Sequence, residues 1–144
     1  ISFSSDAIPL HLLTAEAIGI YARALKPDGI LLIHISNRFF DLEPVLAAEA
    51  KARGWSAAIR MDPSPDEGAA DDDFSDLTGS NWVALTATAQ RLDQLTHGLE
   101  PRTEAAKDGI WVPLESRPNF ERWTDDYAST LPVLLWGHLI GQRE

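Results

Sequence analysis

An α/β domain, with parallel strands ending in an antiparallel hairpin, is the fold class the sequence predicts. Three observations predict it. A helical pattern precedes an unbroken apolar run, Ile30-Leu31-Leu32-Ile33-His34-Ile35, the signature of a strand covered on both faces and characteristic of parallel sheets. A second helical pattern and a second strand pattern follow, the alternation of α/β chains. The next strand pattern, over 81–87, comes after a connection with no helical periodicity. It therefore returns antiparallel to the strand before it, because a parallel return needs a crossover.

The individual elements follow from short-range signals. Thr14 is placed to cap a helix over 15–25, with apolar residues at 17, 18, 21, 22 and 25 on one stripe. Pro27-Asp28-Gly29 stops it. Asp41 caps a second helix over 42–53, Pro44 is tolerated in its first turn, and Gly54 ends it. Residues 55–61 read as a strand and 89–99 as a short helix. Residues 101–119 read as irregular, and Thr124 followed by Asp125 and Asp126 predicts a helix start within 123–135, interrupted at Pro132. No internal repeat is visible.

The chain has 144 residues, 44% hydrophobic and 24% charged, enough for one folded unit and inconsistent with wholesale disorder. It opens on Ile1-Ser2-Phe3, which reads as the end of a strand, so the expectation is a partial domain over 1–144 cut from a longer protein. Twenty-two acids against 12 bases give a formal charge of -10, a surface that repels nucleic acid and favours cationic partners. The segment 62–79 concentrates this charge. It carries Asp62, Asp66, Glu67, Asp71, Asp72, Asp73 and Asp76 without a Lys or Arg, and reads as a flexible acidic loop. Its spacing is not that of an EF-hand. With no Cys, disulfides, thiolate metal sites and cysteine nucleophiles are excluded. No apolar run approaches the ~20 residues that span a bilayer.

Ser4-Ser5-Asp6 joins a strand end to a helix start, where open parallel sheets bind ligands. Two hydroxyls and a carboxylate there suit an ammonium group; the same residues also satisfy backbone groups in Asx and Ser turns. His34 closes the 30–35 strand, either facing a ligand or hydrogen-bonded in the core. The five tryptophans, Trp55, Trp82, Trp111, Trp123 and Trp136, serve packing first, and the last three could also line a pocket or a subunit contact.

Ser4-Ser5-Asp6 with Pro9 and Leu12-Leu13-Thr14, followed by Leu25-Lys26-Pro27-Asp28-Gly29-Ile30-Leu31, resembles the spermidine synthase-like group, relatives of S-adenosylmethionine-dependent methyltransferases. The likeness is nearest to bacterial proteins that carry such a domain behind a polytopic membrane segment. Trp123-Thr124-Asp125-Asp126-Tyr127 is similar to a C-terminal signature of that group, so the resemblance runs from Ser4 to Tyr127. It implies the C-terminal half of a Rossmann-like methyltransferase fold: the end of the fourth strand, then the fifth, sixth and seventh. It further implies substrate-binding positions at Ser4, Ser5, Asp6 and His34, a polyamine-like cationic acceptor, and a parent using S-adenosylmethionine or its decarboxylated form. The parent would place the domain on the cytoplasmic side of any membrane helices.

Two departures qualify what the resemblance implies. The family's cofactor loop is Gly-rich, and no Gly-x-Gly occurs in this chain, so the fragment is expected to bind no nucleoside cofactor by itself. The family's proton-accepting Asp would fall at Phe3, and Ala7 replaces a Pro. The reaction requires an amine nucleophile, and an alkylammonium with a pKa near ~10 must first lose a proton. Missing the base, even the parent is expected to make spermidine weakly. The catalytic residues are therefore unassigned, and two readings stand: a transferase fragment moving an aminopropyl or methyl group, or a non-catalytic polyamine-sensing or assembly module. An incomplete sheet exposes apolar edges, so self-association, or docking to the missing N-terminal half, is expected.

Overall fold

The computed structural model describes residues 10–37, 40–62, 79–97 and 110–134. A 3-10 turn at Leu10–Leu12 leads into helix α1, Ala15–Ala24. Strand β1, Leu31–His34, helix α2, Glu43–Arg53, and strands β2, Ser56–Asp62, and β3, Ser80–Thr86, follow. Helix α3, Ala89–His97, strand β4, Trp111–Pro113, and a 3-10 turn at Leu131–Val133 complete the order.

The caps read from the sequence form as expected. Thr14 accepts a hydrogen bond from the Ala17 N–H at 3.3 Å, satisfying a first-turn donor of α1. The Asp41 carboxylate accepts from the Glu43 N–H at 3.1 Å, so it caps α2 from one residue outside the helix boundary. Gly54 ends α2 at φ 66°, and its N–H turns back to the carbonyls of Ala50 and Lys51. A left-handed residue after a helix costs a side chain about 1 kcal/mol, and an added Cβ at Gly54 would meet nothing within 4 Å. Gly54→Ala is therefore expected to lower stability by about 1 kcal/mol through the backbone alone. Gly54→Asn should lose less. Urea unfolding of both variants checks this, and equal losses would contradict it.

The sheet order is β1-β3-β2-β4. β2 and β3 pair antiparallel from Ser56↔Thr86 to Asp62↔Ser80, the hairpin the sequence implies. β1 pairs antiparallel with β3, and β4 antiparallel with β2. Every pairing among the described residues is thus antiparallel. The expectation of parallel strands, and with it the C-terminal half of a Rossmann-like methyltransferase fold, is corrected to an α/β fold with, among the described residues, one four-stranded antiparallel sheet and three α-helices.

The reason for the error is physical. β1 and β2 each run antiparallel to β3, so they point the same way, joined by α2 as a crossover. β3 lies between them and takes the hydrogen bonds they would have shared. An apolar run reports that layers cover a strand; it carries no information about the direction of its neighbour.

The two faces of the sheet are packed unequally. On one face Ile33, Ile59, Val83 and Leu85 join Leu13, Ile18, Leu42, Val45 and Leu46 from the helical side, with Trp123 and Val133 from the C-terminal segment. On the other, α3 lays Leu92 against Ala58 and Ala84, with Leu95 and Trp111 beside them. Small strand residues let this helix approach closely. It packs on β2, β3 and β4, which leaves Leu32 of β1 41% exposed while neighbouring Ile33 is fully buried.

Two further expectations change. Residues 111–113, read as irregular, form edge strand β4, a piece too short for periodicity to show and ending in a Pro that only an edge tolerates. Residues 124–127 form a tight turn closed by a bridge between Thr124 and Tyr127, not a helix start. Asp125 is drawn onto the start of α1 instead. Thr14 donates to the Asp125 carboxylate at 2.6 Å, and the Asp125 N–H donates to Glu16 at 2.9 Å.

Candidate functional site: the acidic rim beyond β1

The carboxyl end of β1 and the amino end of β3 meet at one rim of the sheet. The Ile35 N–H donates to the Asn81 carbonyl at 2.8 Å, and the Asn81 N–H donates to Ser36 Oγ at 2.8 Å. The chain then turns through Asn37, whose side-chain oxygen accepts from the Phe40 N–H at 3.0 Å, and enters α2 at Glu43. From the far end of the sequence, Leu134 bridges to Phe40, and the Asp41 N–H donates to the Val133 carbonyl at 2.7 Å.

These contacts frame a cleft of about 260 Å³, lined by Ile35, Asn37, Phe40, Asp41, Glu43 and Asn81. Asp41 is ion-paired to Arg117. Glu43 is half-buried, and burial pushes its carboxyl above the usual glutamate range. The Asp41 charge pushes in the same direction and Arg117 opposes it. The cleft thus holds a half-buried carboxyl, raised by burial and standing beside the Asp41–Arg117 ion pair, with two side-chain amides and one aromatic ring beside it. The acidic segment read as a loop over 62–79 has Asp66, Glu67, Asp71, Asp72, Asp73 and Asp76 in positions 63–78, which lie outside the described residues.

Of the site residues read from the sequence, His34 alone is among the described residues, and it does not line this cleft. Ser4, Ser5 and Asp6 lie outside the described residues. His34 is half-buried on the other face of the sheet. It is paired across from Trp82, with ring centroids 4.8 Å apart and Nε2 at 2.9 Å from Ser36 Oγ. The sheet separates it from Asp41 and Glu43, because alternate residues of a strand face opposite ways. Asp41 drew attention in the sequence only as a cap, and Glu43 not at all. The available signal was Asp41-x-Glu43 directly after a buried strand, a pattern equally explained by favourable charge at a helix start.

At the helix starts Thr14 accepts from the Ala17 N–H of α1 and Asp41 from the Glu43 N–H of α2, and the sequence has no Gly-x-Gly to bring backbone against a ligand. Among the described residues no group of three or more His, Asp or Glu is placed to hold a metal ion, and no helix is long and apolar enough to cross a membrane. Compared with known proteins, the chain matches no protein-family model, no curated protein and no solved structure.

Proposed function

We propose that this chain is the acceptor-binding part of a spermidine synthase-like group transferase, and that the rim beyond β1 holds a small polyamine. The observation that carries the reading is the placing of Asp41 and Glu43 in one cleft with Asn37, Asn81 and Phe40. A primary ammonium donates to carboxylates and amide oxygens, and its charge favours the ionised form of Glu43, which burial disfavours. The methylene chain of a polyamine suits an aromatic wall such as Phe40. The surplus of acids over bases steers cations toward the surface. The transferase part of the reading rests on the resemblance of Ser4–Thr14, Leu25–Leu31 and Trp123–Tyr127 to that group. In this reading an S-adenosylmethionine-type cofactor would supply the aminopropyl or methyl group, held by residues other than those described.

A second reading has its own support. Phe3 stands where the family's proton acceptor is found, which favours a non-catalytic polyamine-sensing or assembly module. Both readings share the cation site, and an assay of the full-length parent for group transfer to putrescine or spermidine separates them.

The site is tested by titrating spermidine and following the side-chain amides of Asn37 and Asn81 by NMR. Glu43→Gln preserves shape and removes the charge, and is expected to weaken binding roughly fivefold. The sign of the pH dependence follows from the raised carboxyl. Protonated Glu43 offers a cation a neutral acceptor but no charge, so affinity is expected to rise as pH climbs through its elevated pKa and to level off above it. Spermidine affinity indifferent to both Glu43→Gln and pH would remove the rim from consideration.

A further inference from the structure

A second cleft lies between α2 and the segment that follows β4. Lys51 of α2 lines it with Ser116, Arg117, Asn119 and Arg122, and its volume is about 470 Å³. Three of the chain's 12 basic residues meet here, and no Asp or Glu is among the lining residues. In a chain of formal charge -10, that is a local reversal of sign.

Both arginines are anchored from behind. Glu49 accepts from Nε and Nη2 of Arg122, and Asp41 accepts from Nη2 of Arg117. The acids lie deeper than the cations they hold. The Glu49 and Asp41 side chains are 2% and 19% exposed, against 39% for Arg122 and 52% for Arg117. Nη1 of both arginines and Nε of Arg117 take no part in these pairings, so each guanidinium keeps donors for a further partner. Lys51 is exposed and has no ion-pair partner among the described residues.

The backbone beside Arg117 is fixed as well. Pro118 and Asn119 form the centre of a turn in which the Phe120 N–H donates to the Arg117 carbonyl at 3.4 Å. Asn119 sits at φ 57°, and Pro followed by a left-handed Asn is the composition of a type II turn. Such preorganisation spares part of the ordering cost of binding.

Guanidiniums held by buried carboxylates, with an ammonium beside them, are the chemistry that recognises an oxyanion. Asp41 and Glu49 offset two of the three positive charges, so the cleft is distinguished by several directed donors more than by net charge. That favours a phosphate, which presents three terminal oxygens, over a monocarboxylate with two. We propose that the Lys51–Arg117–Arg122 cleft binds the phosphate group of a small soluble phosphate ester. It takes an anion where the rim takes a cation, and the two meet only through the Asp41–Arg117 pair.

Inorganic phosphate is the probe, titrated at constant ionic strength and read by NMR at the Asn119 side-chain amide. A saturable shift at low millimolar phosphate is expected, and acetate should bind at least roughly fivefold more weakly. Lys51→Met and Arg117→Gln, both at exposed positions, are each expected to weaken phosphate roughly fivefold. Lys26→Met removes one charge at an exposed position outside the cleft and should leave the affinity unchanged. No saturable shift, equal binding of acetate, or an equal loss in Lys26→Met would overturn the proposal. Co-sedimentation with phosphatidate vesicles without a shift from free phosphate would overturn it too, by moving the chemistry to a lipid surface. Because spermidine is read at Asn37 and Asn81 and phosphate at Asn119, either site can fail without the other.

Discussion

Glu49→Ala is expected to destabilise the fold by about 3 kcal/mol, one of the two largest effects a single substitution should have here. Glu49 is only 2% exposed, in the middle of α2. Its carboxylate accepts from Arg53 one turn along the helix and, in a two-pronged pairing, from Arg122 in the segment after β4. Arg53 also reaches the Ala15 carbonyl at 2.7 Å and lies 5.7 Å from the Trp55 ring. One buried charge therefore ties α2, α1 and the C-terminal segment together. Removing it leaves two guanidinium groups facing each other. Both retain some access to water, which places the cost at the lower end of the ~3–5 kcal/mol typical of broken buried pairs. The melting temperature should fall by roughly 10 °C.

The same residue sets an acid limit on stability. Burial by itself pushes the Glu49 carboxyl up, but the hydrogen bonds from Arg122 and Arg53, with their charges, outweigh it and hold the carboxyl below the usual glutamate range. A depressed folded pKa contributes stability that is present above the unfolded value of about 4.3 and is lost as pH falls through the folded one. The native chain should weaken across that acid window, and Glu49→Ala should show a shallower slope there. Urea unfolding at neutral and acid pH measures both. A variant that keeps the native slope would assign the acid sensitivity to other carboxyls.

Trp123→Ala is expected to cost about 3–5 kcal/mol, the range for emptying a packed aromatic site. Trp123 is 2% exposed and belongs to the same core cluster as Leu13, Ile18 and Val133. The hydrogen bond from Ala15 to its carbonyl survives the substitution, so the loss reports packing. Trp123→Phe should retain much of the stability, since a ring still fills part of the site. Against a typical total of ~5–15 kcal/mol, the Ala variant would be marginal, and thermal denaturation should show the two variants well apart. Near-equal losses would mean that the site collapses around a smaller side chain.

The contrast between these residues shows what a sequence can carry. Glu49 and Arg53, four apart on a helix, are a pair that spacing reveals. Arg122 is not, because it is 73 positions away and arrives only through the packing of the last segment. Asp41 was legible as a cap for the same local reason that Thr14 and Gly54 were. Its sharing of a cleft with Glu43, Asn37 and Asn81 depends on β3 lying beside β1. His34 attracted attention as a polar group ending an apolar strand, but strand alternation turned it to the face away from those acids.

The sequence by itself determined where α1 and α2 begin and end, which segments become β1, β2 and β3, and that β2 and β3 form a hairpin. Each follows from residues within a few positions of one another, where caps, prolines, glycines and apolar periods act directly on the backbone. Only the tertiary structure decided that β3 enters between β1 and β2, that β4 closes the opposite edge, and that residues 124–127 turn onto α1 instead of starting a helix. Those outcomes are competitions between distant segments for the same hydrogen bonds and the same buried surface, and no local pattern encodes which segment wins.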